Sequence, residues 1–145
     1  MGRLIQLLRN PRLWWGFTLA WFVLLFFLSS LPKLPPGPEV PFQDKILHTI
    51  YYSGAGFCVW LALRLKKTPL SARAAFWRAV LFCFAVGLFD EFHQSFVPNR
   101  SGNDPGDLTA DTLGGILGPV LASPFFAWLA RRKPSLDERT ASLQA

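Results

Sequence analysis

Four stretches of this chain are almost free of charge and long enough, or nearly so, to cross a lipid bilayer. Residues 13–31 carry no charged side chain, and residues 46–63 carry only His48. Residues 79–89 are apolar, and Ala74–Phe76 extend them if Arg78 snorkels to the interface. Residues 112–130 are again apolar and uncharged. A span needs about 20 mostly apolar residues, and a helix is the open-chain structure that satisfies its own backbone in hydrocarbon. The pattern therefore predicts an all-α fold, an integral membrane bundle of four transmembrane helices. The third stretch has the shortest uninterrupted run, and its alternative is a re-entrant or interfacial segment. Composition agrees: 14 Phe and 6 Trp in 145 residues are more aromatic surface than a soluble domain of this size readily hides. Arg3, Arg9 and Arg12 before the first stretch resemble the start of a secretion signal. Its apolar run exceeds the roughly 7–15 residues of such signals, and Leu28-Ser29-Ser30 is a poor cleavage site, so an uncleaved helix is expected.

The charges divide by side. Twelve of the fifteen Lys and Arg fall before the first span, between the second and third, or after the fourth. The other two gaps hold only Lys33, Lys45 and Arg100. The positive-inside rule then puts both termini in the cytoplasm, and Trp14, Trp15, Trp60, Trp77 and Trp128 near the same ends read as an aromatic belt. Topology accounts for the net charge of +6 without nucleic-acid binding. Cys58 and Cys83 lie in different spans at different depths, with no metal-type spacing, and read as small packing residues without a disulfide.

Three regions follow: a basic cytoplasmic lead-in at 1–12, a membrane domain at 13–133, and a polar, loose tail at 134–145. Within the domain, residues 31–43 contain five of the twelve prolines and read as an extended connector, either a strap across the outer mouth or a spacer. The first helix, apolar all round, reads as scaffold. Segment 97–107 is rich in turn residues, and Pro119 and Pro124 point to a bent fourth helix.

The acidic side gathers seven of the nine carboxylates and both histidines. Ionisable groups at one membrane face mark the place to look for function. Asp44, His48 and Tyr51/Tyr52 share a helix face by their spacing, so Asp44 can orient His48 as an acid/base or can simply cap the helix. Asp90, Glu91 and Gln94 sit at a helix C-terminus, where acidic groups oppose the macrodipole, a conflict that points to function. Asp107 and Asp111 share a face of the fourth helix; Asp107 is a candidate cap, and Ala110, Gly114 and Gly118 form a small-residue stripe suited to close packing. Arg100 is the one Arg among these acids and either neutralises them or grips an anionic headgroup, while Lys45 either snorkels or assists it. Carboxylates at Asp90, Asp107 and Asp111, with Glu91 beside them, also allow a divalent cation with oxygen ligands.

Read in order, these residues resemble the VanZ-like family of small bacterial membrane proteins. The matching elements are Asp44-Lys45-x-x-His48 leading to Tyr51/Tyr52 and Gly54, then Asp90-Glu91-x-x-Gln94, then Phe96-Val97-Pro98-x-Arg100, then Asp107-x3-Asp111-x2-Gly114-x3-Gly118. Asn99 stands where the family pattern often has Gly, and Asn tolerates the same turn geometry. The resemblance implies a multi-pass protein of the bacterial cytoplasmic membrane, connected through the family's namesake to resistance against the glycopeptide teicoplanin. It implies no defined reaction. Three functions compete. The first is binding or modification of an anionic lipid headgroup or lipid-linked envelope precursor. Its acid/base would be His48, oriented by Asp44 or Glu91, and Arg100, Gln94, Tyr52 and Lys45 would hold the ligand. The second is a non-catalytic envelope or antibiotic-access factor with a structural polar cluster. The third is a small transporter.

Overall fold

A computed structural model describes residues 2–32 and 41–132. Most of the proline-rich connector, Glu39 and the tail beyond Arg132 lie outside the described residues. Among the described residues the chain is all-helical: α1 (Gly2–Leu8), α2 (Pro11–Ser29), α3 (Gln43–Leu65), α4 (Ala72–Gln94) and α5 (Pro105–Arg131). The last four are each long and apolar enough to cross a membrane. The third stretch is thus a full 23-residue helix and not a re-entrant turn. The helix extends back past exposed Arg78 and Arg73 to Ser71, which caps it by accepting from the Ala74 N–H at 3.1 Å. α1 falls in the basic lead-in, where no helix was expected; Asn10 separates it from α2 by accepting from the Arg12 N–H, with Pro11 opening the next helix.

The four long helices run up and down. At the basic end, Arg9 donates to Leu129 O at 2.9 Å and to Arg132 O, adding to the Arg132 N–H that closes the end of α5 on Leu129 O. Arg64 donates to Leu70 O at 2.6 Å, with its guanidinium over the rings of Trp60 and Phe126. The basic residues therefore tie helix ends together, a role separate from the orientation expected of them. Trp15, Trp77 and Trp128 are exposed as a belt requires, but Trp14 and Trp60 are buried core residues. Their ring N–H groups are satisfied by Leu8 O and Ala72 O. Cys58 and Cys83 are free and buried.

α3 and α5 form the most extensive helix pair. The small-residue stripe is the reason. A Cβ at Gly114 would lie 2.6 Å from Thr49 O, and one at Gly118 would collide with Phe57 N and Ser53 O. Gly56 of α3 faces Gly115 of α5 in return. α5 continues through Pro119 and Pro124, and Pro119 is buried against Gly56. α2 is the peripheral member; Phe17, Leu19, Val23, Leu24 and Phe27 face outward, as suits a lipid-facing surface. It is joined to α3 by a reciprocal pair: Tyr51 Oη donates to Trp21 O at 2.5 Å, and Trp21 Nε1 donates to Tyr51 O at 2.8 Å.

Candidate functional site

At the acidic end, the start of α3, the end of α4, the 95–104 loop and the start of α5 converge. Lys45 sits among three carboxylates, at 3.0 Å from Asp44, 2.5 Å from Asp104 and 2.7 Å from Asp107. Asp104, not Asp107, caps α5, accepting from the Gly106 N–H at 2.7 Å. The Lys45 ammonium and the Gly106 N–H hold the Asp104 carboxyl below the usual Asp range. Asp44 does not cap α3 either. Phe42 occupies that position in a left-handed conformation at φ 58, and Asp44 lies exposed in the first turn.

One turn on, His48 points between α4 and α5. Its Nδ1 is 2.8 Å from Asp111 Oδ1, and its Nε2 is 3.9 Å from Asp107. Asp44 and Glu91 were the expected orienting groups, and the structure assigns that contact to Asp111. Asp44 is drawn to Lys45 at the surface, and Glu91 Oε2 accepts the Asp104 N–H at 2.6 Å, fastening α4 to the start of α5. Asp111 is fully buried, and its carboxyl occupies the space that a side chain at position 87 would need: a Cβ on Gly87 would be 2.5 Å from Asp111 Oδ2. With Asp111 ionised, Nδ1 carries the proton and the neutral ring presents Nε2 as a base.

Beside this pair lies a cavity of about 360 Å³. Trp21, Leu25, Leu28, Leu47 and Ile50 give it apolar walls, and His48, Tyr52, Asp90, Gln94 and Arg100 give it a polar end. A smaller polar recess of about 80 Å³ shares Leu47, His48, Gln94 and Arg100 with it and leads out past Asp44, Ser101 and Asp107. Gln94 Nε2 donates to Asp90 Oδ2 at 2.8 Å. Four buried polar atoms here have no hydrogen-bond partner among the described residues: Tyr52 Oη, Glu91 Oε1, Arg100 Nε and Asp111 Oδ2. Arg100 is carried on a turn in which Asn99 adopts φ 62 and Asn103 φ 66, left-handed geometry that Asn accepts more readily than most residues. The neighbouring Gly102 packs directly on the end of α4, against Ser95 N and Glu91 O.

The site thus brings together His48, Tyr52, Asp90, Gln94 and Arg100 around one cavity, with Glu91 and Asp111 behind them. Asp44, Lys45 and Asp107 form its rim. The expected carboxylate set for a cation, Asp90, Asp107 and Asp111, is not assembled, since these side chains turn to Gln94, Lys45 and His48 respectively. The trio whose ligand atoms do lie within 4.8 Å of one another is Asp44, His48 and Asp107. Lys45 already places a positive charge on two of these three. His93 stands apart, 3.0 Å from Ser30 and packed on Phe26. The sequence reading missed the wall from α2. Trp21, Leu25 and Leu28 share a face by their spacing, yet in a helix apolar all round no contrast singles that face out. The one available signal was Trp21, the tryptophan away from the belt. Gly87 was missed too, as an isolated glycine in an apolar run.

The family model described as VanZ/LLP1 matches residues 13–128, which runs from the first turn of α2 to the last turn of α5 and includes every residue of the site. Comparison with curated proteins finds no match, and comparison with solved structures finds none either. The match spans most of the chain, and the protein is a multi-pass membrane protein belonging to the VanZ/LLP1 family.

Proposed function

We propose that the acidic end of the bundle is an extracytoplasmic site that binds the anionic headgroup of a lipid or lipid-linked envelope precursor, with His48 placed to act on it as an acid/base. The observation that carries this reading is the division of labour between the two cations. Lys45 is consumed by three carboxylates. Arg100 forms no ion pair among the described residues, yet it lines both the polar recess and the cavity. A guanidinium so placed suits two-point contact with phosphate or carboxylate. The size of the cavity lies at the lower end of the range for small-molecule sites, and an apolar body with a few convergent polar groups is their usual make-up. His48, held by Asp111 from behind, offers Nε2 for proton transfer. A role in glycopeptide resistance is the family-level context for such a site.

Native mass spectrometry of the protein released from lipid tests the reading. A lipid with a phosphate or carboxylate in its headgroup should copurify, and Arg100→Ala should lose it while retaining the wild-type melting temperature. Unchanged lipid retention in Arg100→Ala would sink the proposal. The competing reading, a structural polar cluster without a ligand, draws on the Lys45 cage, which joins α3 to α5 at the surface. It requires that every substitution here lower stability in proportion to its effect on function. His48→Ala at full abundance and melting temperature, with function lost, would exclude it.

A further inference from the structure

We infer that the lipid held here is an aminophospholipid: its phosphate meets Arg100, its ammonium turns inward to Asp90, and its chains leave sideways between α2 and α3. This rests on the binding site proposed above and specifies the chemistry of its occupant.

The charges inside the cavity carry the argument. Arg100 and Asp90 line the same space, so a ligand spanning both meets a positive and a negative group. The inner end is rich in acceptors. Asp90 is 3 % exposed and engages Gln94 through one oxygen. Behind the lining, Glu91 and Asp111 are buried as well, and each keeps an oxygen with no protein partner among the described residues, so the charge at this end is negative. The donors nearby are few: Gln94 is committed to Asp90, His48 Nδ1 to Asp111, and the Ser29 hydroxyl, which lines the cavity beside Asp90, donates to Phe26 O at 3.3 Å. Tyr52 Oη, 2 % exposed on the cavity wall, is the one hydroxyl without a partner there. A purely anionic headgroup would satisfy Arg100 and leave these acceptors facing more negative charge. A headgroup with a phosphate and a cationic donor a short distance away satisfies both ends. The walls specify the rest. Trp21, Leu25 and Leu28 on α2 face Leu47 and Ile50 on α3, and the last two are also exposed on the outer surface. About 360 Å³ holds a headgroup and the first part of its chains, so the remainder must run out past Leu47 and Ile50 into the bilayer.

The test is a competition in nanodiscs or by native mass spectrometry with phosphatidylethanolamine, phosphatidylglycerol and phosphatidic acid offered together. The wild type should retain the ethanolamine lipid at least about tenfold over phosphatidic acid, with the glycerol lipid between them. Asp90→Asn should bring the ethanolamine and glycerol lipids to parity, and Arg100→Ala should lose all three. Leu25→Trp, which fills the apolar part, should weaken every lipid but leave soluble phosphoethanolamine binding in place. Equal retention of the three lipids by the wild type, or a preference for phosphatidic acid, overturns the inference with no variant needed. If Arg100→Ala still loses lipid in that case, anion binding stands and only the headgroup assignment falls. If soluble phosphoethanolamine displaces the lipid completely at matched concentration, the chains contribute nothing and the lateral route falls.

Discussion

Replacing Gly87 by Ala tests whether the site depends on how closely α4 approaches α5. A Cβ built there lies 2.5 Å from Asp111 Oδ2, 3.0 Å from its Cβ and 3.1 Å from its Cγ. Ordinary contact begins near 3.4 Å, so the Asp111 carboxyl must retreat by about 0.9 Å. It has little room to do so, being fully buried and bonded to His48 at 2.8 Å. Adding that displacement to the bond breaks it. Overpacking costs about 1–3 kcal/mol, and losing a hydrogen bond to a charged group costs about 1.5–3 kcal/mol. The helix preference for Ala over Gly returns about 1 kcal/mol, leaving a net loss of roughly 1.5–5 kcal/mol. At about 3 °C per kcal/mol for a chain of this size, the melting temperature should fall by roughly 5–15 °C. Gly16→Ala is the matched control, because nothing lies within 4 Å of a Cβ at position 16. It should melt at or slightly above the wild type. Thermal unfolding of both variants in one detergent, followed by circular dichroism or fluorescence-detected gel filtration, decides the matter. Gly87→Ala melting as high as Gly16→Ala would refute the idea that Asp111 is wedged against α4.

Other perturbations separate the rim from the interior. The folded-state pKa of Asp104 is depressed, so its contribution to stability is complete above its unfolded value near ~4 and is lost as pH falls through the lower folded value. A fall in melting temperature beginning below about pH 4, and reduced in Asp104→Asn, is the expected outcome. Lys45→Met removes the shared partner of Asp44, Asp104 and Asp107; the pairs are partly exposed, so the loss should be about 1–2 kcal/mol and should shrink in high salt. Asn99→Gly should be nearly neutral and Asn99→Val destabilising by about 1–2 kcal/mol, because φ is 62 there; equal melting of the two would count against the left-handed turn that carries Arg100.

The amino-acid sequence alone determined the class of fold and the end of the bundle where the ionisable groups of the candidate site gather. Both follow from one-dimensional quantities: the length of uncharged apolar runs against bilayer thickness, and the placement of charge in the gaps between them. The turn at Asn99 and the close α3–α5 contact along Gly114 and Gly118 were also legible, since each depends on a local property of the residue itself. Partnerships were not. Spacing on α3 pointed to Asp44 for His48, but the tertiary structure supplied Asp111 from α5, because a half-buried imidazole takes the acceptor that packing brings alongside it and an exposed carboxylate takes the nearer ammonium. The same holds for α2. As a uniformly apolar helix it read as scaffold, yet the Trp21–Tyr51 pairing turns Trp21, Leu25 and Leu28 toward α3 and makes them one wall of the cavity. In a membrane, a helix's hydrophobicity is spent on the lipid and says little about which face meets a neighbour. That choice rests on shape and hydrogen bonds between helices far apart in sequence, and it settles only when the four helices pack.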